Sequence, residues 1–163
     1  MRYAVQQLSP ADLPLMHRLL DMFGEAFGEP ETYRGAVPSD AYLSSLLGKP
    51  HFIALAALEG ERVIGGLAAY VLEKFEQQRS EIYIYDLAVA EAHRRRGIAT
   101  ALIRLLQQIG RERGAYVIFV QADPPDEPAI RLYESLGVRE AVLHFDIPVD
   151  QTMVAQSSTN DRQ

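Results

Sequence analysis

There is no cysteine among the 163 residues, which removes disulfide scaffolds, zinc-thiolate sites and cysteine nucleophiles before any motif is read. Basic charge is in deficit: 16 Lys plus Arg stand against 22 Asp plus Glu, a formal net charge of -6. A chain that binds nucleic acid over its surface needs the opposite balance. Long apolar runs are missing too, since no stretch approaches the ~18 residues of a membrane span. Residues 1–10 contain no basic-then-apolar signal region. The expectation is a cytoplasmic protein with no membrane and no nucleic-acid partner. What is present, 48% hydrophobic residues, suffices for one ordinary domain, because a chain of this length can bury roughly 70% of its unfolded surface.

Periodicity orders that domain. Residues 2–8 read as a short strand, and Ser9-Pro10-Ala11-Asp12 as a helix start. Leu13, Met16, Leu20, Phe23 and Phe27 then recur at helical spacing. Residues 28–38 read as a loop, and Ser39-Asp40 caps a second short helix ending at Gly48. Two apolar runs, 52–58 and 63–72, flank a short polar connection and predict a hairpin, with Gly65-Gly66 marking a bulge or a close backbone approach. Residues 81–89, rich in β-branched and aromatic side chains, predict a central strand. A helix from near Gly97 to Gly114 and a strand at 115–121 follow, which implies a right-handed parallel crossover. A further helix opens at Pro128 and closes at Gly137, ahead of a last strand near 140–147. The domain is expected over 1–147, and 148–163 reads as a polar, aperiodic tail.

Charge is segregated along this order. Residues 93–113 hold six arginines and one acid, Glu112, whereas 121–150 hold seven acids against Arg131 and Arg139. The arginines gather where a strand end, Leu87-Ala88-Val89, turns into a helix start at Arg94-Arg95-Arg96-Gly97-Ile98-Ala99. Such a turn binds anions, because orphan backbone N–H groups and the positive end of the helix dipole converge on one spot, and glycine lets the anion come close. Neither the Gly-Lys-Ser/Thr phosphate loop nor the Gly-x-Gly-x-x-Gly fingerprint occurs, which argues against an ATPase or an NAD enzyme.

The run Arg94–Ala99 resembles the Arg/Gln-x-x-Gly-x-Gly/Ala pyrophosphate motif of the GNAT superfamily of acetyl-CoA-dependent N-acetyltransferases, and the order of elements over 2–147 is similar to that family's. Residues 52–57, 67–72, 80–89 and 144–147 further resemble the type I aminoglycoside 3-N-acetyltransferases. The resemblance implies an α/β (α+β) fold: a central mixed, mostly antiparallel sheet with one splayed parallel pair, flanked by about four helices. It also implies acetyl-CoA as cosubstrate, with Leu87, Ala88 and Val89 along the pantetheine arm and Arg94, Arg95, Arg96, Gly97, Ile98, Ala99 and Thr100 around the pyrophosphate. An aminoglycoside such as gentamicin would be the acceptor, acetylated on the 3-amine of its 2-deoxystreptamine ring, and a homodimer is the family-level expectation.

Acetyl transfer from a thioester needs a neutral amine, a donor for the carbonyl oxygen and a proton for the departing thiolate. Without cysteine, direct attack in a ternary complex is the natural route. Asp86 is the expected general base: it interrupts an apolar strand just before the pantetheine-binding residues, where burial without a role or partner is costly. A structural aspartate bonded to backbone amides at a bulge is the other reading. Strict alternation would put Ile82, Ile84, Asp86 and Ala88 on one face and Tyr83, Tyr85, Leu87 and Val89 on the other, unless a bulge reverses it. Glu81, Tyr85, Asp123 and Asp146 are candidates to meet acceptor ammonium groups, with exposed turn or edge positions as the alternative. Tyr133 matches the tyrosine that many family members use as general acid, and equally reads as a core residue on its helix's apolar stripe. His17, His51, His93 and His144 lack paired spacing, so no metal is expected. Two rival functions remain: acetylation of a polyamine, another small amine or a peptide N-terminus, and a non-catalytic acetyl-CoA sensor, which needs the turn but no base.

Overall fold

The apolar runs separate into regular elements in the computed structural model, which describes residues 2–150. In chain order these are β1 (Ala4–Gln7), α1 (Leu13–Phe27), α2 (Pro30–Arg34), α3 (Asp40–Leu47), β2 (Phe52–Glu59), β3 (Arg62–Glu73), β4 (Ser80–Val89), α4 (Ile98–Glu112), β5 (Ala115–Val120) and α5 (Glu127–Leu136). The chain divides after Asp123 into two compact units.

The first unit carries one sheet in the order β1-β2-β3-β4-β5. Pairing is antiparallel as far as β4 and parallel between β4 and β5, with α4 as the crossover. This is the expected mixed, mostly antiparallel GNAT-type sheet. Local signals set the helix ends. Ser9 and Asp12 form a capping box ahead of α1, Gly28 closes that helix at φ 64°, and the Ser39 side chain accepts from Tyr42 N at the start of α3. Where the sequence reads as a loop over 28–38, the chain forms the short helix α2, so five α-helices are present rather than about four. The buried face of α1 is also wider than expected: Leu19 and Met22 join Met16 and Phe23, while Phe27 is 40% exposed.

Helices cover both faces of the sheet. Phe52 through Ala57 are buried without interruption because β2 lies between two layers. On one side α1 and α3 enclose Met16, Leu19, Phe23 and Leu43 with Phe52, Ala54 and Ala56. The opposite face receives α4, whose buried residues include Ile98, Leu102, Ile103, Leu106 and Ile109. The glycine pair of β3 admits both helices. A Cβ on Gly65 would lie 2.9 Å from Ile98 Cγ2 of α4, and one on Gly66 would lie 2.0 Å from Leu19 Cδ1 of α1. Leu19 is fully buried and cannot swing aside. Gly66→Ala is therefore expected to destabilise the protein by about 1–3 kcal/mol through overpacking. Urea unfolding checks this, as a lowered midpoint with an unchanged slope.

One irregularity decides what the sheet presents. Ala68 pairs with Asp86, yet Ala69 pairs with Ile84, so Tyr85 is an extra residue in β4. Ile82 and Ile84 are buried, with Ile82 Cδ1 beneath Gly110 of α4. Past the bulge, Asp86 lies on the α1 side, where it meets Tyr33. The strict alternation that grouped Asp86 with Ile82 and Ile84 is thus broken by a single residue.

The second unit contains α5, opened by the Asp126 side chain accepting from Ala129 N and closed by Gly137 N donating to Tyr133 O. The strand expected near 140–147 is not formed. Among its described residues this unit holds no other strand, so the backbone there has no ladder partner within it, and Leu143, Phe145 and Ile147 stand exposed. Of the expected tail, residues 151–163 lie outside the described residues. Among the described residues no helix is long and apolar enough to cross a membrane.

Candidate active site

The parallel pair separates before β4 ends. Its last matched positions are Ile84 and Val120, while β4 continues against β3 to the Val89–Gly65 pair. From Tyr85 to Val89 the strand therefore has a ladder on one side and, among the described residues, none on the other. Backbone N–H and C=O groups along such a margin want partners. Leu87, Ala88 and Val89, the residues expected to lie along the pantetheine arm, occupy it and are half-buried.

The chain then turns through Glu91–His93 into α4. Arg95 (φ 63°) and Gly97 (φ 75°) both take the left-handed conformation, and Gly97 is the N-cap. The first intrahelical bond runs from Ala101 N to Gly97 O, and no side chain caps this end. The N–H groups of Ile98, Ala99 and Thr100 are thus available at the positive pole of a 15-residue helix. A Cβ on Gly97 would find only Tyr3 Oη, at 3.9 Å, so the approach is open.

The three arginines divide their work. Arg94 Nε donates to Val89 O at 3.4 Å, and Arg95 is exposed. Arg96 turns inward: Nη2 donates to Glu59 Oε1 at 3.2 Å and Nη1 to His93 Nδ1 at 2.8 Å. Because a guanidinium only donates, His93 accepts through Nδ1 and keeps its proton on Nε2. Tyr3 Oη donates to Arg96 O at 3.4 Å, and the guanidinium lies 5.6 Å from the Tyr3 ring centroid. Arg96 thus ties the turn to the ends of β1 and β2.

Asp86 is half-buried, and Tyr33 Oη donates to its Oδ2 at 3.1 Å. Burial pushes this carboxyl above its ordinary range; the Tyr33 hydrogen bond opposes the shift, and the charge of Glu29 adds to it. The Tyr33 phenol is itself driven well up, by burial and then by the neighbouring Asp86. The Tyr85 ring, 63% exposed, sits edge-on to Tyr70 at 5.8 Å and to Tyr83 at 6.0 Å. A raised carboxylate and an exposed ring therefore adjoin one another in sequence at the start of the open margin. Such a pair can receive a proton and offer an aromatic face to a cation.

The other candidates are placed differently. Glu81 accepts from Tyr116 Oη and, at 3.4 Å, from Lys74 Nζ; the Tyr116 bond, then Lys74, hold its carboxyl below the usual range. Its charge is already engaged. Asp123 is exposed just past β5. Asp146 is exposed in the second unit, off any strand, and accepts from His144 Nε2 at 2.8 Å. Tyr133, also in the second unit, is half-buried on α5, and burial followed by the charge of Asp126 raises its phenol to about 12. Sequence reasoning missed Tyr33, Glu29 and Glu59. Among the described residues no cluster of three or more His, Asp or Glu could hold a metal ion.

Known proteins resemble this chain in sequence and in fold. An aminoglycoside acetyltransferase from an uncultured soil metagenomic sample is 65% identical, with a TM-score of 0.90 over 92% of this chain and 100% of that one. A second soil-metagenome aminoglycoside acetyltransferase, crystallised with sisomicin, is 33% identical, with a TM-score of 0.83 over 91% and 97% of the two chains. N-acetyltransferase 8B of Rattus norvegicus is 29% identical over 89 residues, 55% of this chain. The chain spans 40% of that protein's length. The family model of the acetyltransferase (GNAT) family matches residues 15–138, which takes in most of α1, the whole sheet from β2 onward and the arginine turn, and the chain belongs to that family.

Proposed function

We propose that this protein transfers an acetyl group from acetyl-CoA directly to the 3-amine of the 2-deoxystreptamine ring of aminoglycosides such as gentamicin and sisomicin, and that it confers resistance by doing so. One observation carries the reading: a strand margin that has no neighbour among the described residues runs into a helix N-terminus without a side-chain cap, with a carboxylate of raised pKa at its head. A sensor needs the margin and the turn. It has no use for the carboxylate. The sisomicin complex of a 33%-identical relative supports the acceptor class, and a cytoplasmic location, where acetyl-CoA is available, suits it.

The residues present fit acetyl-CoA. The N–H groups of Ile98, Ala99 and Thr100, with Gly97 leaving the approach clear, suit a pyrophosphate, and Arg94 and Arg95 add positive charge beside them. The backbone of Leu87 and Val89 offers partners to an amide-bearing arm. When bound, acetyl-CoA supplies the activated acyl group. Asp86 takes the proton from the acceptor ammonium or amine, and its raised pKa makes it a better acceptor than an ordinary aspartate. Asp86 and Glu29 attract a polycation, and Tyr85 offers its ring to a sugar face or an ammonium. In this proposal the departing thiolate takes its proton from water, because a phenol at about 12, as on Tyr133, would give one up to a thiolate of reference pKa near 8.5 only uphill, by on the order of 5 kcal/mol.

The deciding assay combines purified protein, acetyl-CoA and a panel of aminoglycosides and polyamines, with thiol release as the rate and NMR of the product to locate the acetyl group. Acetylation at N3 is expected. Acetylation at another amine rejects the regiochemistry, and turnover only of polyamines or peptides rejects the acceptor class. Glu59→Gln tests the turn separately. Loosening Arg96 is expected to raise the KM for acetyl-CoA severalfold and leave kcat near the parent value.

A further inference from the structure

We propose that Tyr33 is the positioning residue of Asp86: its hydroxyl, delivered by α2, holds the carboxylate through Oδ2 and thereby leaves Oδ1 as the oxygen presented to the acceptor amine. The inference rests on the reading of Asp86 as general base and goes beyond it, to the element that aims the base.

The geometry of the α1–α2 corner is directed at this one contact. A helix of five residues does not persist alone, since nucleation costs more than so few hydrogen bonds return. Here α2 is held by the rings of Phe23, Phe27 and Tyr33. Phe23 and Phe27 stack at 5.7 Å, and Tyr33 meets each of them at 5.8 Å. Arg34 Nε also pairs with Asp21 Oδ1 of α1 at 2.5 Å. With the ring of Tyr33 locked against α1, its hydroxyl is the polar tip that reaches across to β4, 53 residues further along the chain, and donates to Asp86 Oδ2 at 3.1 Å. The bulge at Tyr85 completes the pair from the other side, because it absorbs the extra residue and so keeps Asp86 facing α1. A phenol donor whose proton is held tightly is suited to this task. It orients the carboxylate at every pH where the enzyme works, without competing for the proton.

A structural role alone would need only the ring, so phenylalanine separates the two functions. The groups that bear on Asp86 are Tyr33 and Glu29 at α2, and its charge is felt in turn by the phenols of Tyr83 on β4 and Tyr70 on β3. Of these, the Tyr33 hydrogen bond is the one that favours the ionised carboxylate. In Tyr33→Phe, measured on the full chain, the Asp86 titration followed by carboxyl carbon NMR is expected to move to higher pH. The acid limb of kcat/KM for sisomicin should move up with it. At neutral pH kcat should fall roughly ten- to a hundredfold, with the KM for acetyl-CoA unchanged. Phe27→Leu, which loosens the same corner but keeps the hydroxyl, should lower thermal stability and leave the limb in place.

An Asp86 midpoint that does not move in Tyr33→Phe overturns the proposal whatever the enzyme acetylates. A midpoint that moves while the limb stays fixed overturns the base assignment, and the positioning role with it. Should Tyr33→Phe not fold, the reciprocal measurement decides. In Asp86→Asn the Tyr33 phenol should titrate at lower pH than in the parent, and an unchanged phenol overturns the contact.

Discussion

The Asp86→Asn protein is expected to bind acetyl-CoA as the parent does and to acetylate sisomicin or gentamicin roughly 100- to 10,000-fold more slowly, the range over which a positioned general base contributes. The elements proposed to hold acetyl-CoA do not depend on the carboxylate: the Leu87–Val89 margin and the N–H groups of α4 are backbone features. Calorimetry with acetyl-CoA and steady-state rates with saturating aminoglycoside separate the two effects. Unchanged turnover would remove Asp86 from the chemistry. In the parent, kcat/KM should decline as pH falls through the Asp86 pKa, which burial places above the ordinary carboxylate range.

Stability supplies an independent sign. A carboxyl whose folded pKa lies above its unfolded value binds more protons when native, so it costs stability as pH rises from the unfolded value of 3.8 through the raised one, and the cost persists at neutral pH. Asparagine removes that charge while its amide oxygen can still accept from Tyr33. The substituted protein should therefore be at least as resistant to heat or urea at pH 7 as the parent. Loss of activity with retained or increased stability is what a residue kept for chemistry produces.

The second large effect is expected at the turn. Gly97→Glu should weaken acetyl-CoA binding at least tenfold by calorimetry. Gly97 holds φ at 75°, a conformation that costs a residue with a side chain about 1–2 kcal/mol. The new carboxylate would also stand at the positive pole of α4, where a pyrophosphate would sit. The built Cβ meets nothing closer than Tyr3 Oη at 3.9 Å, so the chain can fold around it. Gly97→Ala isolates the conformational part and should weaken binding less. Equal affinity for all three proteins would move the phosphate site elsewhere.

Much of this arrangement was legible beforehand, because the signals were local. The hairpin of β2 and β3, the amphipathic α4 and the arginine turn each announce themselves within one short stretch of chain. What escaped depends on distant partners. Pro30–Arg34 is too short for a helical stripe to register, and its formation rests on Phe23, Phe27 and Asp21. Three consecutive arginines look alike in sequence, yet Arg96 is drawn to Glu59, 37 positions earlier. Residues 140–147 have a strand-like composition, but a strand also requires a neighbour to pair with, and composition does not reveal one. The facing of Asp86 turned on one unpaired residue, and a tyrosine fits a bulge and a regular strand equally well.

That extra residue has a bearing on how the protein can change over generations. If Tyr85 were deleted, Asp86 would follow Ile84 directly and ordinary alternation would still point it toward α1. Tyr85 is thus a supernumerary position, superimposed on a strand whose phase survives without it. Mutation can exchange or discard its ring and leave Asp86 and the Leu87–Val89 margin undisturbed. If the protein acts as proposed, acceptor preference is free to drift at this point while the reaction is inherited intact.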